Sequence, residues 1–263
     1  MLDPDDLVRM SAAYGVAEEQ IRRDHLISHS LRALSILSQP VIFFGGTALA
    51  RTYLAQPELG GRLSEDIDLM AEGRPAVAQS LAEGLPRLLQ REFPGTRWDP
   101  PLVAVRSIEP GELVTGDGLR VRVQLLDLSG AHSDFRGWPV EERQIETFYR
   151  DVPGRVVLTV PTLTAFAAMK TAAYADRRTA RDLYDLAALA RLGALTAEAG
   201  VLVKRMTGVS PASHMFARLP VALAWSDQLA HQTSVLPAPE DCLADVRRAY
   251  GDVLGWFEST SGS

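Results

Sequence analysis

The chain is poor in several things, and each scarcity excludes something. Cys242 is the single cysteine in 263 residues, so no intramolecular disulfide framework holds the fold together, which fits a reducing cytosol. No apolar run approaches the ~20 residues needed to cross a bilayer. The opening MLDPDDLVRM has neither the basic start nor the apolar core of a signal peptide, so a cytoplasmic protein with no membrane partner is expected. Excess positive charge is also missing. The formal net charge is -6, which argues against a broadly basic nucleic-acid coat while leaving room for a local basic patch. Lysine is nearly absent: of 27 basic residues only Lys170 and Lys204 are lysines. Arginine is the default cation of this chain, so each lysine is worth inspecting. The remaining composition, 46% hydrophobic and 23% charged, is that of a globular protein with a sizeable core.

The most informative stretch is FFGGTALARTYLAQPELGGRLSEDIDLM, residues 43–70. A short apolar run meets Gly45-Gly46-Thr47, then a helical-looking segment, a Gly/Pro-rich turn and the alternating SEDIDL. On a strand, Asp66 and Asp68 point to one face and Ile67 and Leu69 to the other. Two carboxylates about 7 Å apart on one sheet face repel each other unless a cation lies between them. Carboxylate oxygens are hard ligands suited to Mg²⁺, which fills its shell with water and phosphate oxygens. The glycines let backbone approach a phosphate, and a helix opening at Thr47 would present free N–H groups to an anion. The combination suits a metal–nucleotide.

A second constellation lies in TLTAFAAMKTAAYADRRTARDLYDLAALARL, residues 162–192. Leu163, Phe166, Ala167 and Lys170 fall at spacings of three and four, which puts Lys170 in line with an apolar face. A lysine there is expected to be paired, or else to snorkel to water. On the next helix Asp182 and Asp185 share a face, and Arg178–Asp182 and Arg181–Asp185 have the i, i+4 spacing of a salt-bridged surface.

The first stretch resembles the Gly-Gly/Asp-x-Asp signature of DNA polymerase β-like nucleotidyltransferases, with Gly-Gly-Thr in the turn and no serine after the glycines. With the second stretch it resembles the AbiEii toxin family, which includes the MenT toxins. The resemblance implies an α/β (α+β) nucleotidyltransferase fold, with a small mixed sheet over residues 1–160 and a helical region over 161–263 completing the site. It implies an NTP substrate and Mg²⁺, with two ions possible, held by Asp66 and Asp68. Lys170 matches the catalytic lysine, and Asp185 or Asp182 the helical aspartate, with Asp185 preferred. Gly45, Gly46, Thr47, Ser64, Arg62, Arg177 and Arg181 form the expected nucleotide-binding set. The implied acceptor is the 3′ end of tRNA, and the implied partner a separately encoded, AbiEi-like antitoxin. Two rivals share the motifs: a nucleotidyltransferase acting on a protein or small molecule, and a non-catalytic interaction module.

Elsewhere the pattern predicts helices at 5–15 and 18–38, a first strand from Val41, and a helix from Pro75 to about Phe93, kinked or broken at Pro86. Strands are expected at 97–108, 119–128 and 155–160, and a helix at 140–149. Relatives in the wider superfamily carry a third carboxylate on the strand beside Asp-x-Asp. By register the candidates are Gln124, which is not acidic, and Asp127, just past the alternation. His25 and His29 have metal-ligand spacing, but the sequence offers no third ligand, and they read as surface or helix-packing residues. Arginines at 143, 150, 155, 177, 178 and 181 permit a basic wall.

Overall fold

A computed structural model describes residues 2–129, 135–220 and 222–255. Helix α1 (Pro4–Tyr14) starts at Asp3, whose carboxylate accepts the Asp5 N–H at 2.8 Å, and stops at Gly15 in the left-handed region. Helix α2 (Glu18–Leu37) follows, then β1 (Ile42–Phe44), the short α3 (Gly45–Ala50) and β2 (Asp66–Ala71).

Helix α4 (Arg74–Leu89) runs through Pro86 without a break. Pro86 has no N–H to give the Ala82 carbonyl one turn back, and the Trp98 indole N–H supplies that hydrogen bond at 3.1 Å.

The remaining strands are β3 (Arg97–Trp98), β4 (Gly111–Val114), β5 (Arg120–Asp127), β6 (Val140–Gln144) and β7 (Val157–Pro161). All seven join one mixed sheet in the order β3-β4-β5-β2-β1-β7-β6, with β2–β5 and β1–β7 parallel. Two sequence expectations fail here. The strand over 97–108 is only two residues long because Pro100 and Pro101 cannot donate to a ladder, and the strand falls instead in the turn-rich stretch as β4. The 140–149 segment is not a helix. It is an edge strand pairing antiparallel with β7, and its alternating charged side chains suit that solvent-facing position.

The two faces of the central strands differ in character. Phe43, Ile67, Leu69, Val121, Val123 and Leu125 are fully buried in the main core with residues of α2 and α4. The opposite face carries Asp66, Asp68, Arg122 and Gln124 at one end. At its other end Met70 and Leu126 form an apolar patch with Ile42, Phe44 and Met169.

From Pro161 the chain is helical: α5 (Leu163–Arg177), α6 (Ala180–Arg191), α7 (Ala197–Thr207), α8 (Ala222–Leu229) and α9 (Pro239–Leu254). Threonine caps the first three; Thr162, Thr179 and Thr196 accept the N–H three residues on, at 3.3, 3.2 and 3.2 Å. The main hydrophobic cluster runs from Leu26 on α2 through Phe43 and Phe166 to Tyr184 and Tyr250, so sheet and helices share one core. No described helix is long and apolar enough to cross a membrane.

Candidate active site

The turn from β1 into α3 brings backbone against Asp68. Gly45 has φ +80°, and a Cβ there would lie 2.0 Å from Asp68 Oδ2. At Gly46 a Cβ would displace the Arg62 guanidinium, so the glycine there leaves room for that side chain. Thr47 is buried with its hydroxyl donated to the Asp66 carbonyl. Its side chain therefore ties α3 to β2 and does not face a ligand. Ser64 is buried two residues ahead of β2.

Asp66 and Asp68 are half-buried on one face of β2. Loss of hydration and the neighbouring Asp66 carboxylate push Asp68 up to about 6, against the pull of Lys170, Arg177 and Arg122. Among the described residues none donates a hydrogen bond to the Asp68 side chain. Asp66 is forked by Arg122, with Nε–Oδ1 2.7 Å and Nη2–Oδ2 2.9 Å. The two acids thus crowd negative charge, and a guanidinium stands beside one of them where a metal ion would serve. That donor set, two carboxylates on one strand with room beside them, fits a hard divalent cation. A 220 Å³ cavity lined by Asp66, Asp68, Pro110, Arg122 and Gln124 opens there.

Asp127 does not join them. It pairs with Ala71 at the far end of the β2–β5 ladder, and parity turns it to the opposite face, where its carboxylate is held below the usual range by Ser129. The strand register thus gives Gln124 opposite Asp68 and no β5 acid on the face of Asp66 and Asp68.

The helical half is a closed chain of ion pairs. Lys170 is buried, with Nζ 2.6 Å from Asp185 Oδ2 and 3.5 Å from Asp182 Oδ1. Arg62 forks Asp185 at 2.9 and 2.9 Å and also donates to Gln232 Oε1. Arg177 forks Asp182 at 2.6 and 2.8 Å, and the Thr179 hydroxyl donates to the same carboxylate at 2.6 Å. Burial works to raise both acids, but the surrounding cations win. Arg177 and Lys170 hold Asp182 at about 2, and Arg62 and Lys170 keep Asp185 below the usual range.

Three readings of the sequence change here. The expected surface pairs Arg178–Asp182 and Arg181–Asp185 do not form. α6 starts only at Ala180, Arg178 is the left-handed cap of α5, and both aspartates turn inward. Arg62, expected among the nucleotide contacts, is buried with its guanidinium engaged by Asp185 and Gln232, which makes it a buttress. Arg181 is half-buried on α6 outside this chain of pairs. Arg143 and Arg150 do not extend a basic wall either. Arg143 pairs with Glu141 and lies over the Tyr53 ring, and Arg150 pairs with Asp5 and Asp6.

Between the halves lies a 520 Å³ cavity walled by Phe44, Phe135, Phe166, Met169 and Met206, with Gly45, Lys170 and Arg177 at its polar side. These apolar walls, Arg122 and Gln232 were missed in the sequence. Arg122 could have been suspected, because the alternation of LRVRVQL sets Arg120, Arg122 and Gln124 on one face of a strand. Gln232 lies 170 residues from Arg62 and had no local signal.

A glycine-led helix start packed on Asp68, paired strand carboxylates and a buried lysine are the side-chain chemistry that a hard cation and a phosphate would fit. The model of the nucleotidyl transferase AbiEii toxin family, type IV toxin–antitoxin system, matches residues 29–241, and the chain belongs to that family. Solved structures with a similar fold include the nucleotidyltransferase toxin MenT4 of Mycobacterium tuberculosis. It is 20% identical with a TM-score of 0.64, over 90% of this chain and 85% of that one. A putative nucleotidyltransferase from H. pylori is 16% identical with a TM-score of 0.56, over 94% of this chain and 100% of that one. No curated protein matches by sequence. The protein is a nucleotidyltransferase of the toxin–antitoxin type.

Proposed function

We propose that this toxin transfers nucleotides from an NTP to the 3′ end of tRNA in a Mg²⁺-dependent reaction, and so blocks translation. The observation that carries the chemistry is Gly45, which packs against Asp68 on one side and lines the same cavity as Lys170 on the other, with Lys170 held 2.6 Å from Asp185. The sheet and helical regions then act as one unit, with the cleft between them.

Asp66 and Asp68 are the residues that would hold Mg²⁺, which supplies charge neutralisation on the triphosphate and the departing pyrophosphate. Gly45 and Gly46 allow the phosphates to approach backbone. Lys170 offers a compact positive charge, and Arg177, at the rim of the same cavity, a second. The apolar walls formed by Phe44, Phe166 and Met169 suit a nucleobase, while Lys170 and Arg177 face its phosphates.

In the transfer, the acceptor hydroxyl oxygen bonds to the α-phosphorus, the bond to the bridging oxygen of pyrophosphate breaks, and the hydroxyl proton leaves to solvent or a base. The helical aspartates are poor candidates for that base. Asp182 lies at about 2 and Asp185 spends both oxygens on Arg62 and Lys170. Their role is to fix the position of Lys170. The partner implied by the family is a separately encoded, AbiEi-like antitoxin, and the proposed compartment is the cytoplasm.

The test uses purified protein, total tRNA, Mg²⁺ and each α-labelled NTP in turn, with Asp66→Ala and Lys170→Ala as controls. Label in tRNA that depends on Mg²⁺ and on both residues is expected. Label on protein or a small molecule would replace the tRNA acceptor. No transfer with any donor, together with no Mg²⁺-dependent NTP binding, would sink the reading.

A further inference from the structure

A second cluster lies away from the cleft. His25 and His29, one turn apart on α2, are both buried and meet Asp151 from the segment before β7. Asp151 lies 126 residues from His25, too far for any local pattern to pair them. His25 Nε2 is 3.0 Å from each Asp151 oxygen, His29 Nε2 is 3.2 Å from His25 Nε2, and His29 Nε2 is 3.5 Å from Asp151 Oδ1.

We infer that His25, His29 and Asp151 form a Zn²⁺ site that staples α2 to the segment leading into β7. Ligands at Zn–N and Zn–O bonds of about 2.0–2.1 Å in a tetrahedron stand about 3.3–3.4 Å apart. The three observed separations, 3.0, 3.2 and 3.5 Å, bracket that edge length. Hydrogen bonding alone serves this triangle poorly. Each imidazole Nε2 carries either one proton or one lone pair. His25 Nε2 cannot donate to Asp151 and also accept from His29, so with its hydrogen on Asp151 the 3.2 Å approach of His29 Nε2 brings no second full hydrogen bond between the rings. One cation takes the lone pairs of all three atoms.

The supports are rigid, as a metal site requires. The two imidazoles come from one helix face. The Phe93 ring flanks both at 5.4 Å, and Tyr149 lies edge-on to His25 at 4.9 Å. Asp151 is held in place through its neighbours: Tyr149 Oη donates to Asp24 Oδ2 at 2.8 Å, and the Arg150 N–H donates to Asp6 Oδ2 at 2.9 Å. The Asp151 side chain is 25% exposed, so solvent reaches one edge of the cluster. Two imidazoles and one carboxylate select a borderline ion such as zinc over Mg²⁺. The cluster shares no residue with the cleft, so it is independent of the nucleotidyl-transfer reading.

The test is calorimetric titration of tag-free, chelator-stripped protein with ZnCl₂, together with Co²⁺ absorption as a report on tetrahedral geometry. Wild-type protein, Asp151→Asn, His29→Gln and the double variant Asp66→Ala/Asp68→Ala are compared. One zinc per chain is expected in the wild type and in the cleft variant, with affinity at least about 100-fold weaker in Asp151→Asn and His29→Gln. Zinc should raise Tm by several degrees only where the site is intact. Asp151→Asn changes a part-exposed side chain with no loss of volume, and circular dichroism checks that it folds. Equal binding by wild type and the Asp151 variant, no binding by any, or binding lost only in the cleft variant would each overturn the site.

Discussion

The two halves of the cleft handle charge in opposite ways. On the strand side, Asp68 sits beside Asp66 with no hydrogen-bond donor among the described residues, and its carboxyl is pushed up to about 6. On the helical side, Asp182 and Asp185 are more deeply buried, yet each is satisfied by two cations and held below the usual range. Burial alone therefore does not decide the ionisation of these acids; the partners do. The helical half is assembled in advance and holds its lysine fixed. The strand half carries excess negative charge, which a metal ion can relieve.

The sharpest way to break this contrast is Asp185→Asn. It leaves Arg62 and Lys170 buried without their shared counter-charge, and losing one partner of a buried pair costs about 3–5 kcal/mol. Urea unfolding should show that loss along with loss of transfer activity. A fully stable variant would mean that the helical half is not the preassembled element described above.

Asp182→Asn should cost less and depend on pH. The folded carboxyl lies at about 2 against an ordinary 3.8, so its contribution is complete above pH 3.8 and disappears as pH falls toward about 2. The deficit of the variant should be about 2 kcal/mol at pH 7 and should shrink below pH 4. Asp68→Asn should do the reverse. Its folded carboxyl is raised, so the wild type bears no penalty below pH 3.8, an increasing one up to about pH 6 and the full one above. The variant should match wild type at pH 4 and exceed it by about 1–2 kcal/mol at pH 7.5, after allowance for screening at a half-open site. Activity should be lost all the same, and Mg²⁺ should raise the Tm of wild type but not of Asp68→Asn. Two Asp→Asn changes with stability effects of opposite sign would establish the division. The same sign for both would remove it.

How much of this was legible follows the range of the interactions. Asp66-x-Asp68 and the apolar-face position of Lys170 are local patterns that sequence spacing places on their elements, whereas the helix expected to open at Thr47 already starts at Gly45, so the two glycines form its first residues. The i, i+4 rule misled for Asp182 and Asp185, because it assumes an exposed helix face, whereas α6 buries that face against α5 and the loop carrying Arg62. Proline in a strand pattern and charge in an edge strand accounted for the misread 97–108 and 140–149 segments. Arg62–Gln232 and His25–Asp151 join residues 170 and 126 apart, and no local period encodes such pairs.

Arg122 tests the strand half most finely, because it already supplies a cation to Asp66. The guanidinium is half exposed and the Asp66 side chain is 24% exposed, so the pair contributes at most about 1 kcal/mol to stability despite its two-pronged geometry. Arg122→Gln should therefore leave urea unfolding nearly unchanged. Removing the competing charge frees Asp66 for a metal, so Mg²⁺ affinity, read from the Mg²⁺ dependence of Tm or of transfer rate, should rise several-fold. If Arg122 instead contacts a phosphate during transfer, the same variant would raise KM for the NTP while tightening the metal. Measuring both in one series separates a residue that merely occupies the metal position from one that also serves the substrate. A fall in Mg²⁺ affinity would show that Arg122 organises Asp66 for the ion and does not compete with it.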